Sequence, residues 1–221
     1  EASEQVLSER PRLEGAWAMD IALARALEAA GKTGAEIDLF DLYSSFPCAV
    51  FSACAALGLD PAVETRPLTV TGGLPFFGGP GNNYSLHAIA SMTEKLRAAP
   101  GKTGLVLANG GWMTKEAAGL YSTVRPDQFI AAEAAAKPTD TIAIAEAPAS
   151  GTLETFTVVH GRNGPERGIA ACRTGTGTRF LALATETALA SPREDESPNG
   201  RPGHVATQGE ADTFSLACSG I

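Results

Sequence analysis

Apolar residues recur at helical spacing from Leu13 to Ala30, an alanine-rich amphipathic stretch closed by Gly31. The period then changes. Ile37 to Tyr43 places apolar residues at most positions, as a strand covered on both faces requires. Pro47 suits the first turn of a helix running to Leu57, and Gly58 stops it. Leu68-Thr69-Val70 predicts a short extended piece, Tyr84 to Ala98 a second long helix, and Thr103 to Ala108 and Gly119 to Val124 two more strands. Alternating helices and buried strands predict an α/β layer up to about residue 126.

Beyond Pro126 the pattern shortens. An alanine-rich piece, Phe129 to Ala136, precedes Pro138. Gly151 to His160 then alternates at a period of two, Arg162 to Pro165 reads as a turn, and Gly168 to Arg173 and Thr178 to Ala184 read as strands joined by Thr174 to Gly177. Ser191 to Pro202 reads as an exposed loop, with weaker strands at His204 to Thr207 and Thr213 to Ala217. Short strands at this spacing predict a small antiparallel β-barrel. The expected domains are therefore residues 1–126 and 127–221, with no internal repeat relating them.

Between the extended piece and the second long helix lies the densest local signal, Thr71 to Asn83, with five glycines and two prolines. Glycine permits positive φ and close backbone approach, proline fixes the flanking turns, and Asn82 or Asn83 can cap the helix that follows. Free N–H groups at that helix start would favour an anion or a carbonyl oxygen. No Lys-Ser/Thr follows the last glycine and the spacing is not that of a dinucleotide fingerprint, so neither a Walker loop nor that fingerprint is present.

Composition narrows the functions. A net charge of −8 argues against nucleic acid or an anionic membrane as the main partner, and the second half also carries more acidic than basic residues. No apolar run approaches the roughly 18 residues needed to span a bilayer, and no basic-then-apolar leader opens the chain; a cytoplasmic protein is the expectation. Cys48, Cys54, Cys172 and Cys218 are scattered without metal-ligand spacing, so no metal site is expected. The chain opens Glu1-Ala2-Ser3 without methionine, which reads as a fragment or a processed piece.

Three motifs in order carry a family resemblance: Asp38 to Phe46, ending Tyr43-Ser44-Ser45-Phe46; Gly72-Gly73, four residues, then Gly78-Gly79-Pro80; and Leu-Val-Leu-Ala-Asn-Gly-Gly from Leu105 to Gly111. Over residues 13–125 the chain resembles the later part of the C-terminal half of thiolases, particularly sterol-carrier-type and acetyl-CoA acetyltransferase-like proteins. In that family the corresponding motifs are Asn-Glu-Ala-Phe or His-Asp-Cys-Phe, Gly-Gly with Gly-His-Pro, and Cys-x-Gly-Gly. The resemblance implies the later part of a thiolase-fold domain lacking its first strands, followed by an added barrel. It also implies acyltransferase ancestry in lipid metabolism, and a coenzyme A thioester as substrate or ligand with no covalently bound cofactor.

The departures bear on chemistry. Where thiolases hold a water, activate a nucleophilic cysteine and move an α-proton, this chain has Tyr43, Gly79 and Ala108, or Asn109 if the alignment slips by one. Glycine, alanine and neutral asparagine transfer no proton near pH 7. The resemblance therefore implies no ordinary thiolysis, with Gly72, Gly73, Gly78, Gly79, Asn82 and Asn83 as ligand-binding positions and Tyr43 as the surviving catalytic candidate. A phenol serves better as acid or donor than as base. Certain steroid side-chain aldolases of thiolase-like fold also carry tyrosine in place of catalytic groups.

Other residues read more plainly. His87 reads as a helix histidine with a local hydrogen bond, His160 and His204 receive no role, and Cys48 reads as a buried, inert thiol. Trp112 and Met113 wall an acyl pocket or fill core. Three functions stay open: a ligand-binding protein without thiolysis, a carbon–carbon lyase or acyltransferase using Tyr43 with groups outside this chain, and an assembly module whose barrel docks an enzyme partner. The expected partner of the first domain is the missing N-terminal thiolase half or a neighbouring chain.

Overall fold

A computed structural model describes residues 1–126, 138, 140–185, 197–208 and 211–217. The chain divides into two compact units, Glu1–Val6 with Glu14–Thr139, and Leu7–Leu13 with Asp140–Ile221. Nothing in the hydrophobic pattern marks Leu7–Leu13 as part of the second unit. Among the described residues no helix is long and apolar enough to cross a membrane.

The first unit is a four-stranded mixed sheet covered by helices. Its strands are β1 (Ala2–Ser3), β2 (Leu39–Asp41), β3 (Thr103–Gly110) and β4 (Lys115–Ser122), in the order β1-β4-β3-β2. β2 runs parallel to β3; the other neighbours are antiparallel. The helices are α1 (Trp17–Ala30), α2 (Pro47–Leu57), the single turn α3 (Leu74–Phe77) and α4 (Tyr84–Ala98). Helices α1 and α2 end on Gly31 and Gly58 in left-handed conformation, as their positions in the sequence predict.

Alternation along β3 decides which helix each residue meets. Leu105 and Leu107 pack with Met19, Leu23, Cys54 and Leu57 of α1 and α2. Val106 packs on the other face with Tyr84, Ala88 and Met92 of α4. At Gly104 even a Cβ would fall 2.2 Å from the Met92 sulfur, so α4 lies close against the sheet there.

Several expected boundaries move. Helix α1 begins at Trp17 rather than Leu13, because Gly15 adopts φ 73° and turns the chain before the helix starts. Leu68 to Val70 forms no strand; Leu68 instead accepts a single hydrogen bond, 2.9 Å, from the Leu42 N–H. The preceding loop is fastened by Arg66, whose Nη1 donates to the Ile37 and Ala35 carbonyls at 2.5 and 3.0 Å while its guanidinium covers the Phe40 ring. β4 starts at Lys115, four positions earlier than the expected Gly119, because the β3–β4 ladder continues to Gly110↔Lys115 before the turn.

The second unit is a closed five-stranded barrel of β5 (Ser150–Gly161), β6 (Gly164–Arg173), β7 (Arg179–Ala184), β8 (Pro202–Gln208) and β9 (Ala211–Leu216), in the order β5-β6-β7-β9-β8. Leu153, Ala170, Cys172, Phe180, Ala182 and Phe214 fill it. One neighbour pair departs from the expected antiparallel barrel: β7 and β9 are parallel, because β8 takes the place between β9 and β5 and leaves β9 to close against β7. The turn after β5 is tighter than expected, with Arg162 and Asn163 at its centre and Gly164 already in β6. The expected segment Phe129 to Ala136 and the first half of the loop from Ser191 to Pro202 lie outside the described residues.

Candidate functional site

The strand that ends at Asp41, the glycine loop, the start of α4 and the β3–β4 ends converge on a cavity of about 220 Å³ in the first unit. Tyr43, Asn82 and Ser85 border it together with Ala108 to Gly110 of β3 and Lys115 to Ala117 of β4. Glu1 and Gly81 complete its rim.

Alternation separates the two candidate positions on β3. Ala108, opposite Ala117 in the ladder, shares the face of Val106, the one on which Tyr43 and Tyr84 pack. Asn109 shares the face of Leu105 and Leu107, which belongs to α1 and α2. Ala108 is therefore the residue of this pair on the Tyr43 side of the sheet.

Tyr43 is half-buried, its ring set edge-on to Tyr84 with centroids 5.3 Å apart. The reason for that placement begins two residues earlier. Asp41 is fully buried and sits on the same strand face as Tyr43. Its Oδ2 accepts hydrogen bonds from the Val70 and Thr71 backbone N–H groups, each at 3.0 Å, and from Thr71 Oγ1 at 2.8 Å. Its Oδ1 accepts from the Tyr84 hydroxyl at 3.0 Å, and the Thr71 and Tyr84 hydroxyl oxygens lie 2.7 Å apart. Burial raises the Tyr84 pKa; the neighbouring Asp41 adds to that against hydrogen bonds from Thr71 and Ser44, and the phenol is pushed up to about 12. It stays protonated and keeps donating.

The glycine loop is seated on the same strand end. Ser44 Oγ accepts from the Leu74 N–H at 3.0 Å, and a Cβ on Gly73, whose φ is 86°, would come within 2.8 Å of that oxygen. Only glycine fits there without strain. Gly72, Gly73, Gly78, Gly79 and Asn83 do not border the cavity, whereas Tyr43, Asn82, Ala108 and Asn109 do. A Cβ at Gly79 meets nothing within 4 Å.

Asn83 does not cap α4 as expected. The turn Gly81–Asn83 already winds helically into α4, leaving Asn83 at φ −90°, ψ −7°, and its side-chain nitrogen lies 3.0 Å from His87 Nε2 instead. His87 is thereby a helix histidine with a local partner, and its ring also meets Phe77. His160 and His204 are exposed on the barrel.

Cys48 is exposed, contrary to the expectation of a buried thiol, because the first turn of α2 points it away from the face that Ala49, Ala53 and Cys54 bury. Burial, with Glu64 adding to it, raises the Cys54 thiol, and burial with Glu154 pushes Cys172 up to about 12. Trp112 is 80% exposed at the tip of the β3–β4 turn and Met113 packs against the core; neither borders the cavity. Among the described residues no group of His, Cys, Asp and Glu is arranged to hold a metal ion.

The sequence motifs missed Asp41, Ser44, Thr71, Ser85, Lys115, Glu116 and the role of Tyr84. One signal was available. An aspartate inside Leu-Phe-Asp-Leu-Tyr is a carboxylate within a buried strand, and such a group needs several donors. Lys115 and Glu116 reach the site only through the ladder pairs Gly110↔Lys115 and Asn109↔Glu116, which no local pattern announces.

Comparison with known proteins adds to this geometry. The family described as "thiolase-like protein type 1 additional C-terminal domain" matches residues 130–210. Among solved structures, a monomeric SCP2-thiolase-like protein type 1 from Mycobacterium smegmatis is 38% identical with a TM-score of 0.85. The match covers 98% of this chain and 49% of that one, so the chain spans about half the length of that relative. No curated protein matches.

Proposed function

Because the chain belongs to the thiolase-like superfamily, we propose that it supplies part of a site for a coenzyme A thioester or a related acyl ligand, without the proton-transfer groups of ordinary thiolysis. The observation that carries this reading is the cavity itself. It gathers Tyr43 of the first motif, Asn82 of the glycine loop and Ala108 of the third motif around one small space. Its lining offers amide, hydroxyl and phenol groups suited to a carbonyl oxygen, beside the charged Glu1, Lys115 and Glu116, and contains neither histidine nor cysteine. The remainder of the protein, or a neighbouring chain, would complete the enclosure.

The test is calorimetric titration of the full-length protein with acetyl-CoA and acetoacetyl-CoA, alongside a thiolysis assay. Saturable binding without turnover supports the reading, and absence of binding to either ester overturns it. A second reading is favoured by the position of Tyr43, a residue that borders the cavity and whose ring stands edge-on to Tyr84. In a carbon–carbon lyase Tyr43 would be the acid, and Tyr43→Phe would abolish turnover in a protein that still folds and binds.

A further inference from the structure

We propose that Asp41, Thr71 and Tyr84 form a buried latch that positions this site, fixing the glycine loop and the start of α4 against the strand end that carries Tyr43. The inference rests on the acyl-ligand reading above for what the site binds, and on geometry alone for the latch.

A single carboxylate joins the segments. Asp41 lies on β2, two residues before Tyr43. Its Oδ2 holds the loop where it begins, through two backbone N–H groups and the Thr71 hydroxyl. Its Oδ1 holds Tyr84, the first residue of α4, directly after the loop ends. The loop from Thr71 to Asn83 is thus tied at both ends to the same buried side chain. Thr71 Oγ1 also accepts from the Gly73 N–H at 3.2 Å, extending the tie into the glycines.

Between those ends the loop is held at Leu74, whose N–H donates to Ser44 Oγ and whose side chain joins the α4 core, and at Phe77, whose ring meets Tyr84 and His87; its glycines other than Gly73 stand open. Added Cβ atoms at Gly72, Gly78, Gly79 and Gly81 would each meet nothing within 4 Å, and Phe76 is 88% exposed. Gly81 and Asn82, the part of the loop that borders the cavity, immediately precede the Tyr84 anchor. The Tyr84 end of the latch therefore sets where the Gly81–Asn82 part of the cavity wall stands. The carboxylate accepts from four groups, two of them backbone N–H groups that can only donate. An amide in its place could keep its oxygen toward those two, but its NH₂ would then face the Tyr84 hydroxyl, which would have to accept and turn its own proton to Thr71.

The experiment compares Tyr84→Phe, Thr71→Val, Thr71→Ser and Asp41→Asn with the wild type in the full-length protein. The readouts are amide hydrogen exchange over residues 70–83, the thermal midpoint, and calorimetric binding of acetoacetyl-CoA. Tyr84→Phe and Thr71→Val, each losing one hydroxyl while keeping its shape, are expected to speed exchange in this segment. They should weaken binding about tenfold, the scale of one lost hydrogen bond. Exchange in β3 and α1 should stay unchanged, and Thr71→Ser, which keeps the hydroxyl, should behave as wild type.

Unchanged exchange in 70–83, exchange raised evenly through the unit, or faster loop exchange with undiminished binding would each overturn the proposal. Should Asp41→Asn fail to fold, the two hydroxyl deletions still decide it. A wild-type protein that binds no CoA ester overturns the functional reading; loop exchange then decides the latch, with a local rise sustaining it and no rise overturning it.

Discussion

Arg179 grips Glu154 side-on inside the barrel unit, Nε to Oε2 at 2.7 Å and Nη2 to Oε1 at 2.8 Å, in a bidentate pair that reaches from β7 to β5. Arg173 on β6 bonds the same carboxylate at 2.9 Å. The remaining nitrogen of Arg179 donates to the carbonyls of Ser8 and Arg10 at 2.9 and 2.6 Å, so the pair also fastens Leu7–Leu13 to the barrel.

Removing Glu154 would leave the wholly buried Arg179 guanidinium without its counter-charge. Breaking such a pair costs about 3–5 kcal/mol. Glu154→Ala is therefore expected to lower the denaturant midpoint of the barrel by several kcal/mol equivalent, followed by circular dichroism. An unchanged midpoint would show that the pair contributes no net stability.

The same pair makes stability depend on pH. Burial raises the Glu154 pKa, but hydrogen bonds from Arg179 and Arg173, with their charges, outweigh it and hold the carboxyl below its usual 4.5. The folded state then binds this proton less readily than the unfolded chain. The resulting stability is complete above the ordinary glutamate range and is lost as pH falls through the folded value. Urea midpoints measured from pH 7 to pH 3 should decline below about pH 4.5, and the decline should be shallower in Glu154→Gln. Parallel curves would exclude Glu154 as a source.

Gly34 offers a test of packing in the first unit. A Cβ there would fall 2.3 Å from the Leu57 carbonyl oxygen, where α2 ends, and backbone cannot move aside as a flexible side chain can. Gly34→Ala should cost about 1–3 kcal/mol, read as a reduced denaturant midpoint with an unchanged slope. A neutral result would mean that the turn over Gly34–Glu36 shifts freely.

How much of this was legible in the sequence depended on how local the cause was. Helices α2 and α4 and the main barrel strands follow from their own periodicity, with Gly58 and Pro47 marking one helix at both ends. The two-residue β1, the attachment of Leu7–Leu13 to the barrel and the parallel closure of β7 on β9 do not, because each is decided by a partner far along the chain. The site divides the same way. Tyr43, Asn82 and Ala108 were visible as motif positions, whereas the Asp41 latch needed residues 41, 71 and 84 brought together. Cys48 departs from its expected burial because exposure in a helix's first turn depends on which face of the helix is packed.

Gly79 tests the motif alignment without requiring activity. Its φ is not in the left-handed region, and a Cβ there meets open space. Gly79→His should therefore fold with a thermal midpoint close to wild type. The resemblance implies a histidine at this spacing, so the added imidazole should be tolerated in the full-length protein as well. A drop of many degrees in the midpoint would show that the spacing match misleads.

The strongest expectation concerns thiolysis, because three independent substitutions bear on it. Gly79 carries no side chain to transfer a proton, Ala108 on the Tyr43 face carries no thiol, and Asn109, which also borders the cavity, is a neutral amide. Tyr43 stands where the resemblance implies a water-holding group. General acid–base assistance is typically worth about 10²–10⁴ in rate for each group, and losing two such groups at once leaves thiolysis far below the turnover of an ordinary enzyme. Purified full-length protein should show no appreciable cleavage of acetoacetyl-CoA with free CoA at any pH from 6 to 9, while retaining binding to the ester. Robust cleavage that co-purifies with the protein and disappears in Tyr43→Phe would overturn this expectation and assign the chemistry to the phenol.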